Sequence, residues 1–276
     1  MLTVTDLIDI LLHYHGDTKL IQELIAQKEI RYWRQLQKRN RPKQLVHVTP
    51  EDSLLTSIYA LQKFKIHRLP VVSPRGSLLQ IITHSHLLAF LVQNMNFDSP
   101  IFKYSIEALG IGTYDTLITA SPSIALFDAL KMFAKYKVSA IPIVDDQGVV
   151  VDVFSRYDIV YLVRDGDYKL EYSLEEALQR RPKIPVFTCT KNESFEKVLR
   201  HLSSTRIHRL ICVDDDGRAV GLVSISDIFS FLLMNDKRTL PEIKEKVQRG
   251  PQVNPAYMSN LFMEDAQHPV ERPHPV

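Results

Sequence analysis

The sequence predicts an α/β (α+β) protein made of tandem β-α-β-β-α units that pack in pairs, on three observations. A short apolar strand, an acidic or Gly-containing turn, a second apolar strand and a Ser/Thr-led helix start recur along the chain. The copies hold register: Ile66, Val138 and Ile207 are spaced by 72 and 69 residues, and so are Thr83, Ser155 and Ser224. Insertions that fall between units and not within them mark one module used repeatedly. Finally, each hairpin follows an apolar-periodic run opened by Ser, Pro or acidic residues, which satisfy orphan helix donors or preset φ. One such unit has a single sheet face to bury and little core, so neighbours should pair.

Along the chain, Thr3-Val4-Thr5-Asp6 opens a helix over Leu7–His13 that Gly16-Asp17 ends, so residues 1–16 read as the C-terminal remnant of a first unit. Residues 17–43 read as a connecting helix and linker, with Leu20, Ile21, Leu24, Ile25, Trp33 and Leu36 at helical spacing. The basic run Lys38–Lys43 is a solvated linker or a phosphate contact. Unit two (44–96) starts with strand Leu45–Val48 and helix Ser53–Phe64, then the hairpin Ile66–Val72 through Gly76 to Thr83. Unit three with its lead-in (97–164) repeats this as Leu117-Ile118, helix Ser123–Tyr136, and the hairpin from Val138 to Ser155-Arg156-Tyr157-Asp158. Unit four with its lead-in (165–234) has Val186–Cys189, helix Ser194–Ser203, and the hairpin from Ile207 to Ser224-Ile225-Ser226-Asp227. Units three and four make one complete pair. Unit two faces a first unit that is mostly absent, which leaves an apolar surface on it unless the native chain starts earlier or the fragment packs differently. Residues 235–276, with prolines at 251, 255, 269, 273 and 275 and no apolar period, read as a largely disordered tail.

Composition narrows the function classes. A net charge of +2 exerts no global pull towards nucleic acid or membrane. No apolar run approaches the roughly 20 residues of a membrane span, and no signal-peptide pattern opens the sequence. Cys189 and Cys212 lie in apolar strands and read as core residues, not as a disulfide or metal pair. The expectation is a cytoplasmic, possibly also nuclear, protein.

The segments Met1–Asp6, Lys65–Pro70, Ile111–Tyr114, Val138–Ala140 and Ile207–Leu210 resemble the cystathionine-β-synthase (CBS) repeat. Within that family they look like the γ subunits of AMP-activated protein kinase. The resemblance runs from residue 1 to about 234 and makes the chain an N-terminally shortened member. It implies four CBS repeats arranged in a disk whose clefts bind AMP, ADP or ATP, with no other cofactor and no metal. It also implies a non-catalytic energy-sensing subunit, held in a heterotrimer with a kinase α subunit and a scaffolding β subunit.

The same resemblance puts ribose-binding carboxylates at Asp6, Asp158 and Asp227, while the second repeat has His86 there and its site is expected to stay empty. Asp158 and Ser155 would hold one nucleotide, with Val186 and Phe187 as adenine walls. Asp227, Ser224 and Ser226 would hold another, with Thr113 and Ile118. The Asp6 site would use Thr3, Met1, Leu45 and Val46. His67-Arg68 and His208-Arg209 would face phosphates, and Ser139 and Ala140 are the small residues at the equivalent place. A phosphate-binding lysine of the family is replaced by Ser85 and an arginine of the first repeat has no counterpart, so phosphate affinity should be weaker.

Elementary chemistry points the same way. A carboxylate at a helix start can take both ribose hydroxyls, and Arg offers a charged fork of donors where His adds a titratable one. A single Ser/Thr-x-x-Asp is a capping box; three at matched positions, two of them with His-Arg strands, favour the sugar. An enzyme carrying CBS repeats is the rival class, but the repeats fill the chain to 234 and no P-loop, HExxH or Gly-x-Ser-x-Gly occurs. His84 and His86, two apart, lack helical metal-ligand spacing. A scaffold that has lost nucleotide binding through truncation of the first repeat is the remaining alternative.

Overall fold

A computed structural model describes residues 3–14, 16–29, 32–33, 45–164 and 169–235. Met1, the basic run 38–43, part of the connecting helix and the tail lie outside them. In chain order the elements are α1 (Val4–His13), α2 (Thr18–Gln27), α3 (Leu54–Phe64), β1 (Arg68–Val72), β2 (Leu78–Thr83), α4 (His84–Asn94), α5 (Leu126–Tyr136), β3 (Ala140–Val144), β4 (Val150–Ser155), α6 (Ile159–Arg164), α7 (Leu174–Leu178), β5 (Thr188–Cys189), α8 (Phe195–Thr205), β6 (Arg209–Val213), β7 (Ala219–Ser224) and α9 (Ile225–Asn235), with 3-10 turns at Pro100–Lys103 and Arg156–Asp158. The chain divides into two compact units. One comprises Met1–Leu45, Phe97–Val198 and Arg209–Ser224, the other Val46–Asn96, Leu199–His208 and Ile225–Val276.

The repeat read from spacing is present as three antiparallel hairpins in one register. Arg68 faces Thr83, Ala140 faces Ser155 and Arg209 faces Ser224, and each ladder slips at the same place, after Val71, Ile143 and Cys212. The helix before each hairpin ends in a left-handed residue, and all three are basic: Lys65 (φ 52°), Lys137 (φ 56°) and Arg206 (φ 55°). A side chain there crowds its own carbonyl, which glycine avoids. Lys137→Gly should therefore raise the unfolding free energy by about 0.5–1 kcal/mol, read from the urea midpoint at constant slope.

The lead strands are shorter than the sequence suggests. Leu45–Val48 contributes one bridge, Val48 to Val71, and Leu117-Ile118 is replaced by one bridge from Ala120 to Ile143. Only repeat four has a two-residue strand, β5, parallel to β6. The cause is proline. Val48 and Ala120 donate to the carbonyls of Pro70 and Pro142, which have no N–H to return. The matching residue in repeat four is Ile211, whose N–H donates to the Phe187 carbonyl at 3.1 Å. The helix expected over Ser123–Tyr136 begins at Leu126, because the N–H groups of Leu126 and Phe127 donate to the carbonyls of Tyr172 and Leu170.

In the first unit, α1 packs on repeat three. Ile8 and Leu11 join Leu126, Leu130, Phe133, Phe154 and Ile159 in one buried cluster, and the Phe133 and Phe154 rings stack at 5.1 Å. Helix α1 is thus covered by the third repeat. Repeats three and four meet through their hairpin turns: Val150 N–H donates to Gly217 and Ala219 N–H to Gly148. In the second unit, α3, α4 and α9 pack on one another, with α3 on β1 and α4 on β2, and bury Ile58, Leu61, Leu87, Leu88, Ile228 and Phe229. The apolar surface expected on repeat two is present: Leu78, Leu79 and Ile81 on β2 are 61%, 57% and 37% exposed.

Cys189 and Cys212 oppose each other across β5 and β6 with their Sγ atoms 3.4 Å apart, both buried. The hydrogen bond to Cys212 and burial both push the Cys189 thiol up, so little thiolate forms. A thiol reagent at pH 8 should label neither cysteine in the folded chain and both in urea. Rapid labelling without denaturant would contradict that placement.

Candidate functional site

In the first unit the end of β4 sets up a buried charge cluster. Ser155 caps the turn Arg156–Asp158, and its N–H and Oγ donate to Asp158 Oδ2 at 2.6 and 2.9 Å. Asp158 is only 5% exposed. Its other oxygen, Oδ1, accepts from Arg181 Nη1 at 2.8 Å, and Arg181 also pairs with Asp152. Burial pulls the Arg181 guanidinium down, but Asp158 and Asp152 outweigh it and raise it. Arg209, on β6, donates from Nη2 to Ser139 Oγ at 3.0 Å. Burial lowers Arg209 to about 10, opposed by Asp158 and aided by Arg156, and it stays charged at neutral pH. Ser139, Ser155, Asp158 and Arg209, distant in sequence, therefore lie together, with Ala140 opposite Ser155 in the ladder.

Two neighbours of this cluster were not legible as functional residues. Arg181 stands in the run Gln179-Arg180-Arg181-Pro182, whose only signal is a pair of adjacent arginines before a proline. Arg156 has a structural role: it donates to Val138 O at 2.7 Å and to Thr5 Oγ1 at 3.0 Å, fastening α1 to repeat three.

Asp6 repeats the cap, with Thr3 N and Oγ1 both 2.7 Å from its Oδ2. So does Asp52, with Thr49, before α3, and Glu176 with Ser173 before α7. The capping box is thus used at positions where no sugar was expected, and the motif alone does not identify a site. Each of these caps takes one carboxylate oxygen; in Asp158 the other is held by Arg181. Thr113 spends its backbone on Leu222, with N–H to O distances of 2.9 Å each way, and its side chain is exposed. Ile118, Val186, Phe187 and Ser224 are half-buried, and Leu45 is exposed.

The second unit holds a histidine cluster. His67 and Arg68, before and at the start of β1, and His208, before β6, are exposed. His84 opens α4 and is 3% exposed, its ring 5.1 Å from His67 and stacked on Phe229 at 5.5 Å. Among the described residues neither ring nitrogen of His84 has a hydrogen-bond partner. Burial first, then His67 and His208, lowers its pKa from 6.5 to about 3. Where the other repeats have a carboxylate, His86 offers only its backbone N–H, 3.3 Å from Thr83 Oγ1. Val46, Ser226 and Asp227 are half-buried, and the Ser226 carbonyl accepts from Gln62.

Neutral His84 supports the fold above pH 6.5, and that support drains away as pH falls towards about 3, because the unfolded chain binds a proton the folded chain refuses. Burying two unpartnered nitrogens also costs about 1–3 kcal/mol. His84→Phe should therefore stabilise the ligand-free chain and flatten the loss of stability between pH 6 and pH 4. An unchanged pH profile in urea titrations would rule out His84 as its source.

A family model for the CBS domain matches residues 42–93, 114–165 and 174–234. The 5'-AMP-activated protein kinase subunit gamma-3 of Bos taurus is 37% identical over 243 residues, covering 85% of this chain and 49% of that protein. The gamma subunit of Dictyostelium discoideum is 33% identical over 256 residues, covering 87% of this chain and 44% of that protein. The chain spans about half the length of the curated relatives it matches. A solved structure from Methanocaldococcus jannaschii, described as an archaeal homologue of g-AMPK, superposes with a TM-score of 0.61 at 18% identity, over 84% of this chain and 82% of that one. At that identity the likeness speaks for the fold. With one domain model matching more than half of the residues at the repeats built above, the chain belongs to the CBS-domain family and is a relative of the γ subunits of AMP-activated protein kinase.

Proposed function

We propose that the chain is a non-catalytic regulatory subunit that binds AMP, ADP and ATP competitively and thereby controls a partner protein kinase. The observation that carries this reading is the cluster of buried Asp158 with Arg181 and the half-buried Arg209 and Ser139, contributed by repeats three and four and the segment between them. A carboxylate for sugar hydroxyls beside permanent cations for phosphates is the donor set a nucleotide needs. Ser155 orients Asp158, Val186 and Phe187 offer apolar area for the base, and Asp6 and Asp227 take the same role in their own repeats. The nucleotide regulates by population shift: only a ligand with different affinities for two states of the complex changes kinase activity. The relatives' name, a protein kinase subunit, supports a kinase as partner; the reading extends this to a kinase α subunit and a scaffolding β subunit, in the cytoplasm and also the nucleus.

Calorimetric titration with AMP and ATP tests the reading. Saturable binding that disappears in Asp158→Ala/Asp227→Ala is the expected result, together with co-purification of a protein kinase subunit. A second reading, a CBS scaffold without nucleotide binding, draws on the same cluster, since the Arg181 guanidinium already occupies Asp158 Oδ1. Titrations without heat or change in thermal midpoint for any adenine nucleotide would establish the scaffold instead.

A further inference from the structure

The lead segment of every repeat meets the first strand of its hairpin at one facing pair: Val48 with Val71 in repeat two, Ala120 with Ile143 in repeat three, Cys189 with Cys212 in repeat four. The place asks only for apolar side chains that fill the sheet. Two repeats meet that demand with aliphatic residues, while the fourth sets two free thiols in contact, Sγ to Sγ 3.4 Å, at 2% and 0% exposure. Facing residues on neighbouring strands stand about 4.8 Å apart, inside the Cα separation of about 4.4–6.8 Å that a disulfide spans. A bond between these sulfurs therefore needs side-chain rotation and little backbone movement.

We infer that Cys189 and Cys212 form a redox-active dithiol that a small-molecule disulfide converts to an internal disulfide, with Cys189 as the attacking thiol and Cys212 as the resolving one. Position assigns the roles. Cys212 lies in the middle strand of the sheet β5-β6-β7, whereas Cys189 ends β5, a two-residue strand at its edge. Residues 182–187, which lead into β5, form no helix or strand, and 182–185 and Thr188 are exposed. Such a segment opens locally at low free energy.

While β5 is paired, the hydrogen bond to Cys212 and burial push the Cys189 thiol up, and the pair is inert. Once β5 parts, Cys189 is an ordinary thiol that ionises at about pH 8.5. Its thiolate attacks one sulfur of oxidised glutathione; a mixed disulfide forms and one glutathione thiolate leaves. Cys212, uncovered by the same opening, gives its proton to solvent, attacks the Cys189 sulfur and expels the second glutathione. Two protein thiols and one small disulfide thus give one protein disulfide and two glutathione thiols. The bond fastens β5 to β6, and with them Phe187, whose carbonyl accepts from Ile211 N–H, and Arg209 at the head of β6. The inference is independent of nucleotide binding.

Incubating the folded 276-residue chain with about 5 mM oxidised glutathione at pH 8, followed by mass spectrometry without reductant, tests it. Over hours the chain should lose about 2 Da and yield a linked Cys189–Cys212 peptide. Exchange of the Ile211 amide should then slow at least about tenfold. Cys212→Val should stop at a glutathione adduct on Cys189, and Cys189→Ala should take up none. Both variants carry the residues that Val71 and Ala120 already supply at this pair in repeats two and three, so the fold is kept. A chain that stays reduced, one that keeps glutathione without closing the bond, or an adduct on Cys212 in Cys189→Ala would each overturn it.

Discussion

Replacing Asp158 by alanine is expected to abolish nucleotide binding at its repeat and to lower stability by about 2–4 kcal/mol, below the full effect of breaking a buried ion pair because Asp152 still faces Arg181. Two losses combine. The Ser155 N–H and Oγ lose the acceptor that closes the turn, and a guanidinium whose side chain is only 8% exposed loses its closest buried partner. The two effects separate in a second variant. Asp158→Ala combined with Arg181→Leu removes both charges and should recover most of the lost stability, because an apolar replacement of a buried pair is often close to neutral. Binding should not return. Urea unfolding gives the first quantity and calorimetry the second. Full affinity for AMP in the double variant would sink the site assignment, and a stability unchanged in Asp158→Ala would mean that the pair contributes nothing.

The second large effect is steric. Gly221 on β7 lies beneath the Tyr114 ring, and a Cβ built there would stand 2.4 Å from Tyr114 Cδ1 and 3.0 Å from the Thr113 carbonyl oxygen. The ring is held by its own hydrogen bond, Tyr114 Oη donating to Ile111 O at 2.8 Å, and the Thr113 backbone is tied to Leu222. Neither can yield alone. Gly221→Ala should therefore cost about 3 kcal/mol or more, at the upper end of overpacking. Tyr114→Ala in the same chain should restore part of that loss by removing the ring, leaving the contact with the Thr113 carbonyl. Thermal unfolding of the three variants measures this coupling, and strict additivity would show that the ring is not the obstruction.

Features written in contiguous residues were legible. The hairpins recur where spacing put them, and α3 and α8 start within a residue of their expected positions, whereas α1 starts at Val4, directly after its Thr3 cap and three residues before the expected Leu7. Ser139, Ser155, Asp158 and Arg209 could be singled out because each sits at a repeat position. Arg181 could not, since nothing near it in sequence shows that it will reach a carboxylate 23 residues earlier. His84 was noticed only for its spacing from His86, whereas burial against Phe229 is what distinguishes it.

The chain's period, register, turns and helix caps were thus determined by sequence alone, because each depends on dihedral preferences and hydrogen bonds spanning a few residues. Tertiary structure decided which surfaces meet: that α1 covers repeat three, that Arg181 closes on Asp158, and that Pro70 and Pro142 cut the lead strands of their repeats to single bridges while Ile211 lets β5 form. Those outcomes turn on what lies opposite each group once the chain has folded, and local sequence carries no record of that partner.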